Sequence, residues 1–322
     1  MKHPAIARRG ALALLAASLA APAWAQGDKP IRLVVPLTTG STVDTMARAM
    51  GPALARRTGH PVVVENLPGA GGMTGTLQVV NGAKDGSVLA MVSSNHVINP
   101  GIYKKQLFDA IADITPIRVI GSVPLVLVVH PSVPAKNTPE LIALMKARPG
   151  QLNLGSAGNG STLHLAGELF GQEGGVQIKH IPYRGTGPLT TDLLGGQVDM
   201  AFVSVTAVAP HIKAGKLRAI AMSSTARSAL LPEVPTLAES GLPRYGFDAW
   251  IAVVGPAGMA PAVVQKTAAD LQAVLASKEV ADALAAQGIV TVQSSPEQAL
   301  PFFQAELDKH LRLVKLSGAS VD

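Results

Sequence analysis

Short apolar runs alternate with longer amphipathic stretches along nearly the whole chain. Ile31–Pro36, Pro61–Glu65 and Val88–Ser93 read as strands, with Val43–Thr58 and Gly71–Gly82 as the helices between them. Further on, Thr138–Ala147, Ser161–Gly171 and Pro188–Leu194 have helical spacing, whereas Leu152–Leu154, Ile178–Pro182, Met200–Val203 and Leu217–Met222 are strand-like. Ala260–Leu275, Glu279–Gln287 and Pro296–Val314 follow as amphipathic helices; Pro261 lies early in the first, where its missing N–H does no harm. Such alternation predicts an α/β fold with largely parallel sheets.

Two β-rich runs do not fit a simple strand–helix repeat. Arg118–His130 is long enough to pass from one domain into another and is broken at Gly121-Ser122; Ala249–Val254 is a second candidate crossing. A Pro-, Glu- and Gly-rich stretch, Leu230–Arg244, leads to it. Two crossings imply a discontinuous first domain, 26–123 with 231–322, and an inserted second domain, 124–230. Lobes joined in this way can close over a ligand held between them.

Three strands run into loops rich in Gly, Ser and Thr and then into helices: Leu33–Met50, Leu152–Phe170 and Ile178–Gly196. Small residues let backbone N–H groups approach a ligand, and a helix N-terminus adds unpaired donors and partial positive charge. Each loop is therefore a candidate anion cradle. The first offers Thr38, Thr39, Gly40 and Ser41, with Asp44 either stabilising the helix dipole or receiving a ligand ammonium. The second offers Ser156, Ala157, Gly158, Asn159, Gly160, Ser161 and Thr162, with His164 one turn on, facing cleft or sheet. The third offers Tyr183, Arg184, Gly185, Thr186 and Gly187; Arg184 is either a carboxylate clamp or a solvated rim charge. Strand ends add Ser93, Ser94, Asn95, Ser204 and Thr206. Trp250 reads as hinge packing. An aspartate at Gly160 or Gly185 is expected to abolish binding without unfolding the chain.

Other chemistries find little support. His164 and Glu168 share a helical face, but two residues do not make a metal site. GAGGMTG at Gly69–Gly75 lacks the third glycine of a dinucleotide fingerprint, at Thr74. The chain has no cysteine, which excludes thiol catalysis and iron–sulfur clusters, and only 3% aromatic residues, which argues against base-stacking platforms. Neither a cofactor nor a metal is expected.

Lys2, Arg8 and Arg9 precede the apolar run Ala11–Ala21, and Ala23-Trp24-Ala25 gives a small-x-small cleavage pattern. Residues 1–25 thus read as a signal peptide, with Sec export favoured over the twin-arginine route and a periplasmic product starting near Gln26. Losing those three cations takes the formal charge from +6 to +3, too mild to argue for nucleic acid.

Five segments, VPLTTGSTVDTMAR (Val35–Arg48), VVVENLPGAGGMTG (Val62–Gly75), INPGIYKK (Ile98–Lys105), GSAGNGSTLHLAGELF (Gly155–Phe170) and YRGTGPLTTDLLGGQVDMAF (Tyr183–Phe202), carry a resemblance over essentially the whole mature length. In these the chain resembles the Bug family, the substrate-binding receptors of tripartite tricarboxylate transporters. The resemblance implies a periplasmic two-domain Venus-flytrap fold of the type II kind. It also implies ligands among amino acids, di- and tricarboxylates or aromatic acids, and membrane transporter subunits as partners of a monomeric receptor. One departure is Thr38-Thr39-Gly40-Ser41-Thr42, where family members commonly carry Pro-Pro and a glycine run. A sensory co-receptor for a membrane kinase is an alternative. An exported hydrolase using Ser156 or Ser161 with His164 is a weaker one, because G-x-S-x-G would need glycine at Leu154.

Overall fold

The computed structural model describes residues 29–292 and 294–320, so residues 1–25, expected to be a signal peptide, lie outside the described residues. Two sheets organise the chain. The first half supplies β1 (Ile31–Val35), α1 (Thr42–Thr58), β2 (Val62–Asn66), α2 (Met73–Val80), β3 (Val88–Ser93), α3 (Asn95–Ile102) and β4 (Ile114–Val123). Next come β5 (Leu125–Val129), α4 (Thr138–Ala147), β6 (Asn153–Ser156), α5 (Thr162–Gly174), β7 (Lys179–Pro182), α6 (Thr186–Leu194), β8 (Met200–Ser204), α7 (Val205–Lys213) and β9 (Arg218–Met222). The chain then forms β10 (Ala249–Pro256), α8 (Pro261–Ala276), α9 (Lys278–Ala286), β11 (Val290–Thr291) and α10 (Pro296–Ser317).

Sheet one runs β11-β4-β10-β3-β1-β2 and sheet two β7-β6-β8-β5-β9. Both contain a run of parallel strands followed by a crossing strand antiparallel to both neighbours; sheet one adds the short β11, also antiparallel, on the far edge of β4. The crossing strand is β10 between β3 and β4, and β5 between β8 and β9. Each inserted strand is the one that enters directly from the other lobe, so the two crossings tie the lobes together at equivalent slots.

Alternation along the strands separates the cores. Leu33, Val35, Leu89, Met91, Ile251 and Val253 face α1 and α8, whereas Val34, Ala90, Val92, Trp250, Ala252 and Val254 face α2 and Phe303 of α10. With both faces covered, the strands read as continuous apolar runs.

The crossings differ in detail from the sequence expectation. β4 continues through Gly121-Ser122 by a register irregularity against β10, and the break comes at Pro124, which has no N–H for a ladder. The stretch beginning at 231 does not join the first lobe directly. Leu231, Val234, Leu237, Leu242, Tyr245 and Phe247 sit in the second lobe's core, and Met222 and Ser223 bond to Pro235, Leu237 and Phe247. The return crossing therefore lies at Asp248–Ala249.

α10 packs against α3 of the first lobe and α5 of the second, with Leu313 and Val314 in the same core as Ile98 and Ile102. Among the described residues no helix is long and apolar enough to cross a membrane.

Candidate ligand-binding cleft

Five helix N-termini converge where the two sheets meet. A cleft of about 410 Å³ is lined by Ser41, Thr42 and Val43 at the start of α1, and by Ser93, Ser94 and Asn95 at the start of α3. Ser161, Thr162 and Leu163 begin α5, Thr186 begins α6, and Ser204 precedes α7. The lobes approach closely here: Ser94 Oγ and Thr162 Oγ1 are 3.5 Å apart, and Thr162 Oγ1 lies 3.5 Å from Asn95 Oδ1.

Two of these hydroxyls are also caps. Ser41 Oγ accepts from Asp44 N at 3.2 Å and Ser161 Oγ from His164 N at 3.3 Å. A capping oxygen uses a lone pair and keeps its O–H free to donate, so the cap and ligand readings of these serines are compatible. None of the described lining residues is charged; Leu37, Val43, Val123, Leu125, Ala157, Leu163, Ala249, Trp250 and Ile251 supply apolar wall. The site thus offers hydroxyls, an amide and helix dipoles in place of a formal cation. Each N-terminus is worth about 0.3–1 kcal/mol to an anion when exposed and up to ~2 kcal/mol when partly buried.

Several sequence candidates lie outside this lining. Thr38, Thr39 and Gly40 form an exposed turn. The Gly40 amide donates to Asp44 Oδ2 at 2.9 Å, and Asp44 Oδ1 faces Arg48 Nε at 2.9 Å. Burial pushes the Asp44 carboxyl up, but the Gly40 amide, Arg48 and Asn66 outweigh it and hold the group below its ordinary value. Asp44 is spent on closing its own loop and does not line the cleft. In the third loop, Arg184 and Gly187 are exposed, and neither they nor Gly185 line it.

The second loop stands on a buried polar network. Ser156 is fully buried; its Oγ donates to Gly158 O at 2.9 Å, accepts Gly158 N at 3.1 Å and meets His180 Nε2 at 2.6 Å. The His180 ring stacks on His164 with centroids 3.6 Å apart. His164 Nδ1 accepts the Gly160 amide at 3.1 Å, which leaves the proton on Nε2, 3.2 Å from Glu168. His164 is therefore a loop support. Ser156, with its hydrogen donated to a carbonyl and no access to solvent, is not placed to act as a nucleophile. Asn159 is exposed and donates to Ser320 O at 3.0 Å, tying the loop to the chain's end. At Gly160, φ is +69° and an added Cβ would collide with Ile102 Cδ1. An aspartate there disturbs lobe packing as well as ligand, so the variant is not the clean probe that the sequence suggested. Removing the Ser156 hydroxyl orphans the Gly158 amide and His180. Ser156→Ala is thus expected to cost about 2–3 kcal/mol, read as a lowered urea midpoint; a loss below about 0.5 kcal/mol would refute the network.

Sequence reasoning missed the apolar wall, since Val43, Leu163 and Ile251 look like any core residue. The terminus of α3 was visible only as the polar run Ser93-Ser94-Asn95. Trp250 donates from Nε1 to Glu306 Oε2 at 2.8 Å and packs on Phe302 and Phe303, a hinge role, while also touching the cleft.

Comparison with known proteins bears on the family and the fold. A protein named BugT of Bordetella pertussis is 38% identical over 309 residues, which covers 95% of both chains. The structure of the periplasmic binding protein BugD superposes with a TM-score of 0.72 at 30% identity, over 91% of this chain and 99% of that one. R. palustris Rpa4515 with adipate gives a TM-score of 0.75 at 31% identity, over 92% and 100%. Residues 46–318 match the tripartite tricarboxylate transporter family receptor. The fold is that of a two-domain periplasmic binding protein, and the chain belongs to the tripartite tricarboxylate transporter receptor family.

Proposed function

We propose that this receptor captures a small carboxylate in the cleft between its lobes, in the periplasm, and delivers it to a tripartite membrane transporter. The convergence of five helix N-termini on one uncharged, hydroxyl-lined cleft carries the reading. The carboxylate docks on donors of one lobe, the other lobe closes over it, and waters bridge the gaps. Differential affinity for the closed form then marks the loaded receptor for its membrane partners.

The lining narrows the ligand. Without a cation to neutralise a second charge, the site favours one carboxylate on donors and an apolar body against Leu37, Leu163 and Ile251. Without an acid in the lining, it offers nothing to an α-ammonium group. The adipate held by one solved relative has this kind of hydrocarbon body between its carboxylates. Thermal-shift and calorimetric screening of mono- and dicarboxylates, citrate-like acids, aromatic acids and amino acids tests the reading. Acids with four or more carbons, an apolar body and no amino group are expected to raise the Tm, more than citrate-like acids or amino acids do; the reading is overturned if no carboxylate does.

A further inference from the structure

On the outer face of the first lobe lies an arginine that the cleft does not use. Arg118, on β4, is 4% exposed beneath α8. Its Nη1 donates to Ala268 O at 3.4 Å and Gln272 Oε1 at 3.1 Å, and its Nε has no partner among the described residues. No described carboxylate pairs with it; Asp270 of α8 is held instead by Arg57 Nε at 3.0 Å and Lys266 Nζ at 2.8 Å. A buried guanidinium stays charged, and without a counter-charge it is destabilising.

The guanidinium opens onto a hollow of about 420 Å³ between α8 and the start of α10. Gln265, Gln272, Ser295 and Gln298 contribute polar groups to it. Ser295 N donates to Gln298 Oε1 at 2.8 Å, so the Gln298 amide nitrogen remains a donor. Glu297 also lines the hollow, its Oε1 accepting from Gln265 Nε2 at 2.6 Å. Glu297 is engaged by Gln265 and does not pair with Arg118, so the counter-charge missing at the guanidinium has to be local to it.

We propose that this hollow is a second anion site, separate from the cleft, which takes a small monovalent carboxylate on the Arg118 guanidinium. The planar fork of Arg118 matches a carboxylate, and Glu297 disfavours dianions. Occupancy neutralises the buried cation and so stabilises the first lobe.

Thermal unfolding of the full chain with sodium acetate, and separately sodium sulfate, at constant ionic strength set by a bulky sulfonate salt, tests the proposal. Acetate is expected to raise the Tm by about 5 °C at a hundredfold excess over Kd, and sulfate by less. Arg118→Met should abolish the response and raise the anion-free Tm. Glu297→Gln should strengthen it and extend it to sulfate. Asn95→Asp, in the cleft, should leave it unchanged. An absent response in the unaltered protein, a response that survives Arg118→Met, or one lost in Asn95→Asp overturns the site. Should Arg118→Met not fold, Arg118→Lys keeps the charge without the fork. It should then need at least about tenfold more acetate for the same shift; an unaltered response counts against the proposal.

Discussion

Replacing Asn95 by aspartate is expected to weaken ligand binding by roughly a hundredfold to a thousandfold while leaving the unfolding midpoint unchanged or slightly raised. Asn95 is the first residue of α3, lines the cleft, and faces Thr162 of the other lobe. The substitution keeps the side chain's shape but removes its N–H donor, and a hydrogen bond to a charged group contributes about 1.5–3 kcal/mol. It also sets a like charge near the bound carboxylate, where two charges 4 Å apart repel by about 4 kcal/mol at an effective dielectric of 20, before screening. Against this, an acid in the first turn of a helix favours the fold by about 0.3–1 kcal/mol. Affinity and stability are thus driven in opposite directions, which a merely structural role for Asn95 cannot do. Calorimetric titration beside urea unfolding checks both, and an affinity within about threefold of the unaltered protein would remove α3 from the site.

What the sequence could and could not disclose follows from the kind of signal each feature leaves. The caps Ser41 and Ser161 were legible because a serine ahead of an amphipathic run has a local cause, the unpaired N–H groups behind it. The direction of a hydroxyl has no such cause. Thr38 and Thr39 look as promising as Ser41, yet the turn held by Gly40 and Asp44 leaves them in solvent. α3 and α7 leave no helical signature in the sequence: each is short, and Pro100 and Pro210 interrupt the pattern by which a helix is recognised. The stretch 231–247 has neither period, so its packing against the second lobe through Leu231, Leu237, Tyr245 and Phe247 depends on tertiary contacts alone. Arg118 shows the same limit in reverse. An arginine within a strand reads as a solvent-facing position, and only the covering helix α8 makes it a buried charge.

The second large effect is a loss of stability in mild acid. His96 is buried with a ring nitrogen 2.7 Å from Ala110 O, and His310 is buried on α10 against Phe247 with Nε2 unpartnered. Burial is the main cause that lowers both, and His180 beneath the second loop, from 6.5 to about 4. Between those values the unfolded chain binds protons that the native state refuses, so stability falls as pH drops through the window. At pH 5 each ring costs about 2 kcal/mol relative to neutral pH. Asp248, at the return crossing, works the other way. Burial raises its carboxyl to about 6, so protonation below that value returns about 1 kcal/mol at pH 5. The net loss of about 4–5 kcal/mol is a large share of a typical stability of about 5–15 kcal/mol. Urea midpoints at pH 7.5 and pH 5.0 should therefore differ sharply. His96→Gln, whose amide can still donate to the Ala110 carbonyl, should recover about 2 kcal/mol of that difference. A midpoint that stays constant between the two pH values would mean that these rings take up protons inside the folded chain as readily as outside it.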